Sequence, residues 1–307
     1  MLTNERRDVV VSSLGWIDHG SLWAWSVGDS RPSSHEVSAA RHLTLHAGRN
    51  DHFAVLHHFD EGRLEVTVHD FRTPPEVVAG VRVAHGESAR WGDDRAWGAV
   101  PAHYVTHYSG SHWSDYCLIR LLRPGPKIEL QQLSWHGSSY DPIYQGVVGV
   151  VEVPDDDRVI LSIQRDSNPL LYDPITQSRV GRLKLGDRGG NPTLRFSRLS
   201  SALWAVDYDT LLRLESGSWK VVKSRLLQEA VTGARHFIGD FWIHPQESEL
   251  VLARPFSGDV LSIDPLSLRP RRRCWLGSEP LVAAALADDS VIARDWKTGS
   301  LLRGDWD

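Results

Sequence analysis

The chain has 307 residues, of which 41% are hydrophobic and 24% charged, as in an ordinary folded protein. Its net charge of −5 gives no overall attraction to nucleic acid or anionic lipid. No apolar run approaches the roughly 18 residues of a membrane-spanning helix, and the N-terminal segment lacks the apolar core of a signal peptide. These features predict a cytoplasmic protein with neither a nucleic-acid nor a membrane partner.

Strand-like segments follow one another along the whole chain, separated by turns rich in Gly, Pro, Asp and Asn. They fall into seven units, at about residues 8–40, 41–84, 85–137, 144–186, 190–227, 234–277 and 280–307. The third unit is enlarged, with strands expected near residues 88–92, 96–109, 116–123 and 127–135. The last unit stops one strand short of the others.

One unit of this pattern occurs twice. Residues 154–176 return as residues 245–267, a shift of 245 − 154 = 91 positions. The Asp173-Pro174 pair of the first copy matches Asp264-Pro265 of the second. Each copy has two short apolar strands, a polar turn between them, and an Asp-Pro turn that leads into a further strand. An all-strand unit that recurs is typical of a repeat architecture.

Seven units in 307 residues average about 44 residues each, close to the ~40–45 residues of a four-stranded propeller blade. The sequence therefore predicts an all-β fold, a single β-propeller of seven four-stranded blades. Six blades are the alternative, because the first forty residues contain few clear strands. The strand missing from the last unit predicts that the N-terminal strand around Val9–Val11 pairs into the final blade and closes the ring.

Two Asp-Pro-x-Thr/Ser turns, at residues 173–176 and 264–267, and the segment DWKTG at 295–299 carry a family resemblance. In these residues the chain resembles the seven-bladed β-propeller families of the WD40 and YVTN types. The Gly-His and Trp-Asp pairs that mark WD40 repeats are missing. The resemblance implies architecture only, because propellers serve both binding and catalysis.

The histidines and cysteines predict neither a metal nor a cofactor. A strand rises ~3.3 Å per residue, so His103 and His107 would stand ~13 Å apart, too far to share a zinc ion. Cys117 and Cys274 lie inside apolar strand patterns of distant units, which predicts two reduced thiols and no disulfide.

The tryptophans and arginines have simple structural interpretations. Large flat side chains fill the wedge between blades, so a core position is expected for Trp23, Trp25, Trp204, Trp242 and Trp275. Core and surface remain equally open for Trp91, Trp113 and Trp135, which lie at or near turns. The arginines at 269 and 271–273 are expected on the outermost strand of their blade, where charge discourages edge pairing; a nucleic-acid groove is the less favoured alternative.

One face of a propeller collects the loops that join the second strand to the third and each blade to the next. In this chain these loops are long, polar and aromatic, and function usually lies on such loops. The residues predicted to bind a ligand or partner there are His85, Glu87, Trp113, Tyr140, Arg165, Asp166, Arg188 and Arg254. The length of the third unit predicts that its loops carry much of the function.

Two functions fit this surface. The favoured one is a binding or scaffold propeller that docks a partner protein or ligand. The alternative is a lyase, hydrolase or isomerase that acts on a small molecule or sugar at the mouth of the central channel, with His112 and Asp115, or His136 and Asp141, as the acid–base pair. An enzyme needs a deep pocket with a histidine and a carboxylate within hydrogen-bond reach, whereas a docking face is broad and shallow. The sequence predicts no oligomeric state.

Overall fold

A computed structural model shows the fold of the chain. It describes all residues except 14–19, 41, 60–62, 85–86, 110–113, 124, 134–146, 155, 164–165, 187–189 and 228–236, and of residues 106–109, 114–117 and 132 it describes only the backbone. The described residues form seven antiparallel sheets, which are the blades of a single all-β propeller. The predicted fold is confirmed, with seven blades rather than six.

Each sheet is a meander of consecutive strands. The first contains β1 (Leu2–Thr3), β2 (Val9–Ser12), β3 (Ser21–Ser26) and β4 (Ser33–Glu36). The second contains β5 (His42–Ala47), β6 (His52–His58), β7 (Leu64–Asp70), β8 (Val77–Ala84) and β9 (Glu87–Gly92), and the third β10 (His103–Ser109), β11 (Ser114–Leu122) and β12 (Lys127–Gln132). The fourth contains β13 (Val147–Glu152), β14 (Val159–Ile163), β15 (Asp166–Asp173) and β16 (Ser178–Arg182).

The remaining three sheets follow the same order. The fifth contains β17 (Thr193–Ser197), β18 (Ala202–Asp207), β19 (Thr210–Glu215) and β20 (Val221–Leu226). The sixth contains β21 (Phe241–Ile243), β22 (Leu250–Arg254), β23 (Asp259–Ile263) and β24 (Pro270–Trp275), and the seventh β25 (Pro280–Ala285), β26 (Val291–Asp295) and β27 (Leu301–Gly304). Short 3₁₀ helices lie at Asp94–Ala99 and Pro255–Ser257. Within the part of the chain that the structure describes, no helix is long and apolar enough to cross a membrane.

The hydrophobic pattern of each strand follows from its place in its blade. Every residue of β14, β22, β23 and β26 is buried, because blades pack on both faces of these middle strands. Their apolar residues therefore stand next to one another instead of alternating with polar ones, as in Val-Ile-Leu of β14 and Leu-Val-Leu-Ala of β22. In contrast, every residue of the outer strand β16 is exposed.

The repeated Asp turns are one local structure. The carboxylate of Asp173 accepts hydrogen bonds from the backbone N–H groups of Ile175 and Thr176, at 2.8 and 3.1 Å. Asp264 accepts two equivalent bonds, both of 2.8 Å, and Asp295 two of 3.0 and 2.7 Å. A short side chain that satisfies two backbone donors stabilises the turn locally, which explains why the motif recurs. The turn at Asp295 joins the second and third strands of its blade, whereas the other two lead to outer strands.

The strand β9 is the main difference from the predicted topology. The sequence placed residues 88–92 in the third unit, but β9 pairs with β8 and is the fifth strand of the second sheet. All six of its residues are exposed, so no apolar pattern specifies its partner. The expected strand at residues 96–109 is also divided: its first part is the 3₁₀ helix, and β10 begins at His103.

The fifth strand reverses the direction in which the chain enters the next blade. The backbone carbonyl of Ala99, just before β10, accepts a bond from Arg49, just after β5. The N–H of His103, at the start of β10, donates to the carboxylate of Glu152, at the end of β13. The inner strand of the third sheet therefore starts at the rim where its neighbours end. Ser109 and Ser114, which flank residues 110–113, consequently lie at the loop-rich rim.

The ring closes by packing of the N-terminal segment rather than by strand exchange. The predicted pairing of Val9–Val11 with the final blade is wrong, because β2 pairs with β1 and β3 inside the first sheet. Instead, Met1, Val10 and Trp25 join one hydrophobic cluster with the buried residues of β25 and β26. The N–H of Ala287 also donates to the carbonyl of Arg7 at 2.8 Å.

The environments of two tryptophans bear on the predicted core and on the enlarged third unit. Trp275 was expected in the core, but its position at the end of an outer strand leaves it 54% exposed. Trp97, on the 3₁₀ helix, is only 2% exposed and packs with Val100 and Tyr104 between the second and third blades. Part of the enlarged third unit is therefore hydrophobic core, which weakens the argument that its extra length serves function.

Candidate functional site

Most of the predicted site residues lie outside the described residues. These are His85, His112, Trp113, His136, Tyr140, Asp141, Arg165 and Arg188. Asp115 lies on β11, with only its backbone described, and Glu87 is exposed at the start of β9. The side chain of Asp166 pairs with Arg182 and caps the N–H of Asn168 at 2.8 Å. The predicted roles of all these residues stay predictions.

The loop-rich face is tied together by backbone hydrogen bonds between neighbouring loops. The N–H of Ile238 donates to the carbonyl of Tyr208 at 2.7 Å. Leu276 and Trp296 donate likewise to Gly258 and Glu279, at 3.0 and 3.1 Å. In each case a loop that joins two blades is held by the turn of an adjacent blade. The loops of the fifth, sixth and seventh blades thus form one supported surface.

Four exposed aromatic side chains and the half-buried Phe237 lie along this surface, and we call these five residues the aromatic rim. Its members are Tyr208, Phe237, Phe256, Trp275 and Trp296. The ring centroids of Tyr208 and Phe237 are 5.8 Å apart, and those of Phe237 and Phe256 are 6.0 Å apart. Phe256 is 65% exposed and Trp296 is 40% exposed. Large aromatic rings that remain in water on a rigid support are typical of an interaction surface.

A buried ion pair supports the centre of the aromatic rim. Arg254, predicted as a binding residue, is 3% exposed, and its Nε donates to Asp259 at 2.8 Å. The same carboxylate, itself fully buried, also pairs with Arg273. The guanidinium of Arg273 lies 4.1 Å from the ring centroid of Trp275. Arg254 therefore acts through Asp259 to fix the turn and the neighbouring tryptophan.

The other end of the aromatic rim carries an exposed ion pair. The side chain of Glu279 accepts hydrogen bonds from the indole of Trp296 and from the ammonium of Lys297. These two bonds lower the pKa of Glu279 below its usual value, so the carboxylate is charged at neutral pH. This end of the rim therefore offers a partner both an aromatic face and charges of both signs.

A histidine–carboxylate pair joins two inner strands at the opposite rim. His103 Nδ1 lies 3.0 Å from Glu152 Oε1, and the N–H of Ala102 donates to the same oxygen at 2.6 Å. Burial alone would raise the pKa of Glu152, but these bonds and the charge of Arg123 hold the pKa below its usual value. His103 Nε2 is enclosed and has no hydrogen-bond partner among the described residues. The pair has the distance of an acid–base couple, and the side chain of Glu152 is 26% exposed although the second ring nitrogen of His103 is enclosed.

The described residues contain no group of three or more side chains suited to hold a metal ion. Cys274 is a free, buried thiol, and burial raises its pKa to about 11, which keeps it protonated and unreactive. The side chain of Cys117 lies outside the described residues.

No protein-family model and no curated protein sequence matches the chain. Solved structures do match. The β-propeller domain of Myceliophteria thermophila Cps50 (Swd1) is 12% identical, with a TM-score of 0.60 over 99% of this chain and 94% of that chain. The periplasmic gluconolactonase PpgL of Pseudomonas aeruginosa is 12% identical, with a TM-score of 0.59 over 96% and 94%. A chain of the mitotic checkpoint complex is 12% identical, with a TM-score of 0.58 over 99% and 86%.

These similarities show the propeller fold and nothing about activity, because the identity is low and propellers carry unrelated functions. The sequence reasoning missed the aromatic rim as a group. Phe256 and Trp275 stand next to short turns or strand ends, and only the fold brings them to one face. Successive side chains of a strand point to opposite faces. Since Cys274 is buried in β24, the next residue, Trp275, points outward.

Proposed function

We propose that this protein is a binding propeller that docks a partner protein on the aromatic rim. The observation that carries this proposal is the group of exposed aromatic rings, held over three consecutive blades by backbone hydrogen bonds and the buried Arg254–Asp259 pair. Trp, Tyr and Arg dominate the energetics of protein interfaces, and a rigid support lowers the entropy lost on binding. The Swd1 domain and the chain of the mitotic checkpoint complex are propellers of the same shape, which is consistent with this function.

The aromatic rim is tested with the double variant Tyr208→Ala and Phe256→Ala. Both side chains are exposed, so we expect the free energy of unfolding to change by less than about 1 kcal/mol. We expect affinity for the partner to fall at least tenfold, since hot-spot truncations cost about 2 kcal/mol or more. Affinity capture with the wild-type protein identifies the partner, and calorimetry with the purified partner measures the change.

The matched control is Ile175→Ala with Leu266→Ala, which removes two exposed apolar side chains from the turns on the opposite rim. This control should bind as the wild type does. If the aromatic variant retains full affinity, the partner does not dock on the aromatic rim. If both variants lose binding equally, the effect does not depend on this surface.

Catalysis at the channel is the second candidate, and the His103–Glu152 pair is the observation that favours it. The likeness to a gluconolactonase gives a substrate class for the test, a sugar lactone. Because the free nitrogen of His103 is enclosed, we expect hydrolysis of δ-gluconolactone to proceed at the uncatalysed rate in the presence of the protein. The enzyme would be favoured over the docking function by a rate above background that is lost in His103→Gln. The variant must keep the thermal stability of the wild type for this comparison.

A further inference from the structure

A basic groove lies on the outside of the propeller, and it shares Arg254 and Arg273 with the ion pairs that support the aromatic rim. It has a volume of about 390 Å³ and lies between β20 and β24, the outermost strands of the fifth and sixth blades. We call it the arginine groove. Its walls are formed by Arg225, Leu226, Leu227, Arg254, Leu261, Pro270, Arg271, Arg272, Arg273 and Asp307. Guanidinium groups and aliphatic side chains therefore stand together in one concave site.

Most of the guanidinium groups in the groove are held in place by carboxylates. Arg271 pairs with Asp264, and Arg272 with Glu249 at 2.9 Å. Arg225 differs, because its Nε is buried and has no hydrogen-bond partner among the described residues. The groove thus presents arginines that are fixed by carboxylates and one further guanidinium, that of Arg225, whose Nε the described residues leave without a carboxylate.

The floor of the groove is an open sheet edge. The N–H of Leu276 donates to the carbonyl of Gly258, one residue beyond the paired ends of β24 and β23, and this bond continues the hydrogen-bond pattern of the two strands. Hydrogen-bonded pairs alternate along antiparallel strands, and Arg273, three positions earlier, therefore directs its backbone groups away from β23. In the described residues no strand pairs with this side of β24. The edge can accept a further strand.

The end of the chain already occupies a small part of this edge. The N–H of Asp307 donates to the carbonyl of Arg273 at 2.8 Å. The ring of Trp306 lies 4.7 Å from the guanidinium of Arg272. An acidic and aromatic segment, Asp-Trp-Asp at 305–307, is thus in contact with the arginine strand. This contact combines a backbone hydrogen bond to the edge with an aromatic ring on an arginine.

We propose that the arginine groove binds an acidic, extended peptide segment of a partner protein, which adds as a strand to the free edge of β24. Alternate side chains of an added strand point to one face, so every second acidic residue would face Arg225, Arg271 and Arg273. The positive charge of β24 repels other basic edges and favours an acidic one. Aliphatic walls and an open backbone edge favour a peptide over a nucleic acid, which would need phosphate contacts instead.

The test uses the full chain and a fluorescein-labelled peptide of eight residues that alternates aspartate and valine. We expect saturable binding by fluorescence anisotropy, weakened by added NaCl because the contacts are ionic. Arg225→Glu should lower the affinity at least tenfold. A peptide of the same sequence with N-methyl groups on alternate residues should also bind at least tenfold more weakly, because it cannot pair with the edge.

The matched control is Arg179→Glu on β16, the exposed outer strand of the neighbouring fourth blade, which should bind as the wild type does. If Arg225→Glu unfolds, as seen by circular dichroism, Arg225→Gln replaces it, with an expected loss of about threefold to tenfold. The proposal is overturned if the peptide does not bind, if Arg225→Glu or Arg225→Gln binds it normally in the folded state, or if the methylated peptide binds equally well. Tighter binding of an oligonucleotide than of the peptide would also overturn it.

Discussion

Lowering the pH from 7.5 to 4 is expected to cost this protein about 3 kcal/mol of stability for each of three histidines whose pKa is lowered by burial. Burial lowers the pKa of His46 and His57 to about 4 and that of His69 to about 3, from an ordinary value of 6.5. Between pH 6.5 and 4 the unfolded chain therefore binds protons that the folded chain does not. Stability is complete above pH 6.5 and falls as the pH decreases. Urea unfolding at a series of pH values measures the slope of the free energy of unfolding against pH.

The second blade explains why two of these histidines stay neutral. His57 Nδ1 lies 2.8 Å from the hydroxyl of Ser38, and His57 Nε2 lies 2.6 Å from that of Thr67. The same Thr67 hydroxyl lies 2.8 Å from His69 Nε2, and the ring of His69 stacks on Phe53. A second proton on either ring would place a positive charge in a buried network whose hydrogen-bond partners, Ser38 and Thr67, are hydroxyls rather than carboxylates.

The double variant His57→Gln and His69→Gln tests this assignment. We expect lower stability than the wild type at pH 7.5, because packing and hydrogen bonds are lost, but a clearly smaller further loss between pH 6.5 and 4. The control is His52→Gln, a partly exposed histidine on the same strand β6, which should keep the wild-type slope. If the double variant shows the wild-type slope, these two histidines do not cause the acid sensitivity.

The architecture was predictable from the sequence because its signals are local. The turns at Asp173 and Asp264 are stabilised by hydrogen bonds between residues two and three positions apart, so each copy carries its own evidence. Strands such as β14 and β22 contain runs of adjacent apolar residues because blades cover both of their faces. Counting such units gave the number of blades without any knowledge of which strands pair.

The features that were not predictable depend on contacts between distant parts of the chain. The exposed strand β9 carries no pattern that assigns it to the second rather than the third sheet. The His103–Glu152 and Arg195–Asp240 pairs join residues 49 and 45 positions apart. The exposure of Trp275 depends on its being the last residue of an outer strand. In each case the deciding contact is made by the assembled ring rather than by the local sequence.

Removing residues 1–12 is expected to prevent the protein from folding to a stable ring. The deletion takes away β1 and β2, and with them Val10, which is fully buried against the seventh blade. The first sheet would keep only β3 and β4, and the cluster that contains Trp25 and Ala283 would be exposed to water. We expect the free energy lost with this strand pair and cluster to exceed the about 5–15 kcal/mol by which native proteins are stable. Thermal unfolding and size-exclusion chromatography measure the result.

A point substitution separates the packing at this closure from the general effect of a truncation. Val10→Ala should lower the free energy of unfolding by about 2 kcal/mol, since it leaves a cavity between the first and last blades. Val77→Ala removes the same atoms from a valine that is 46% exposed on β8, and should cost less than about 1 kcal/mol. If the truncated chain melts with the full-length protein, or if the two valine variants are equally stable, the N-terminal segment does not close the ring.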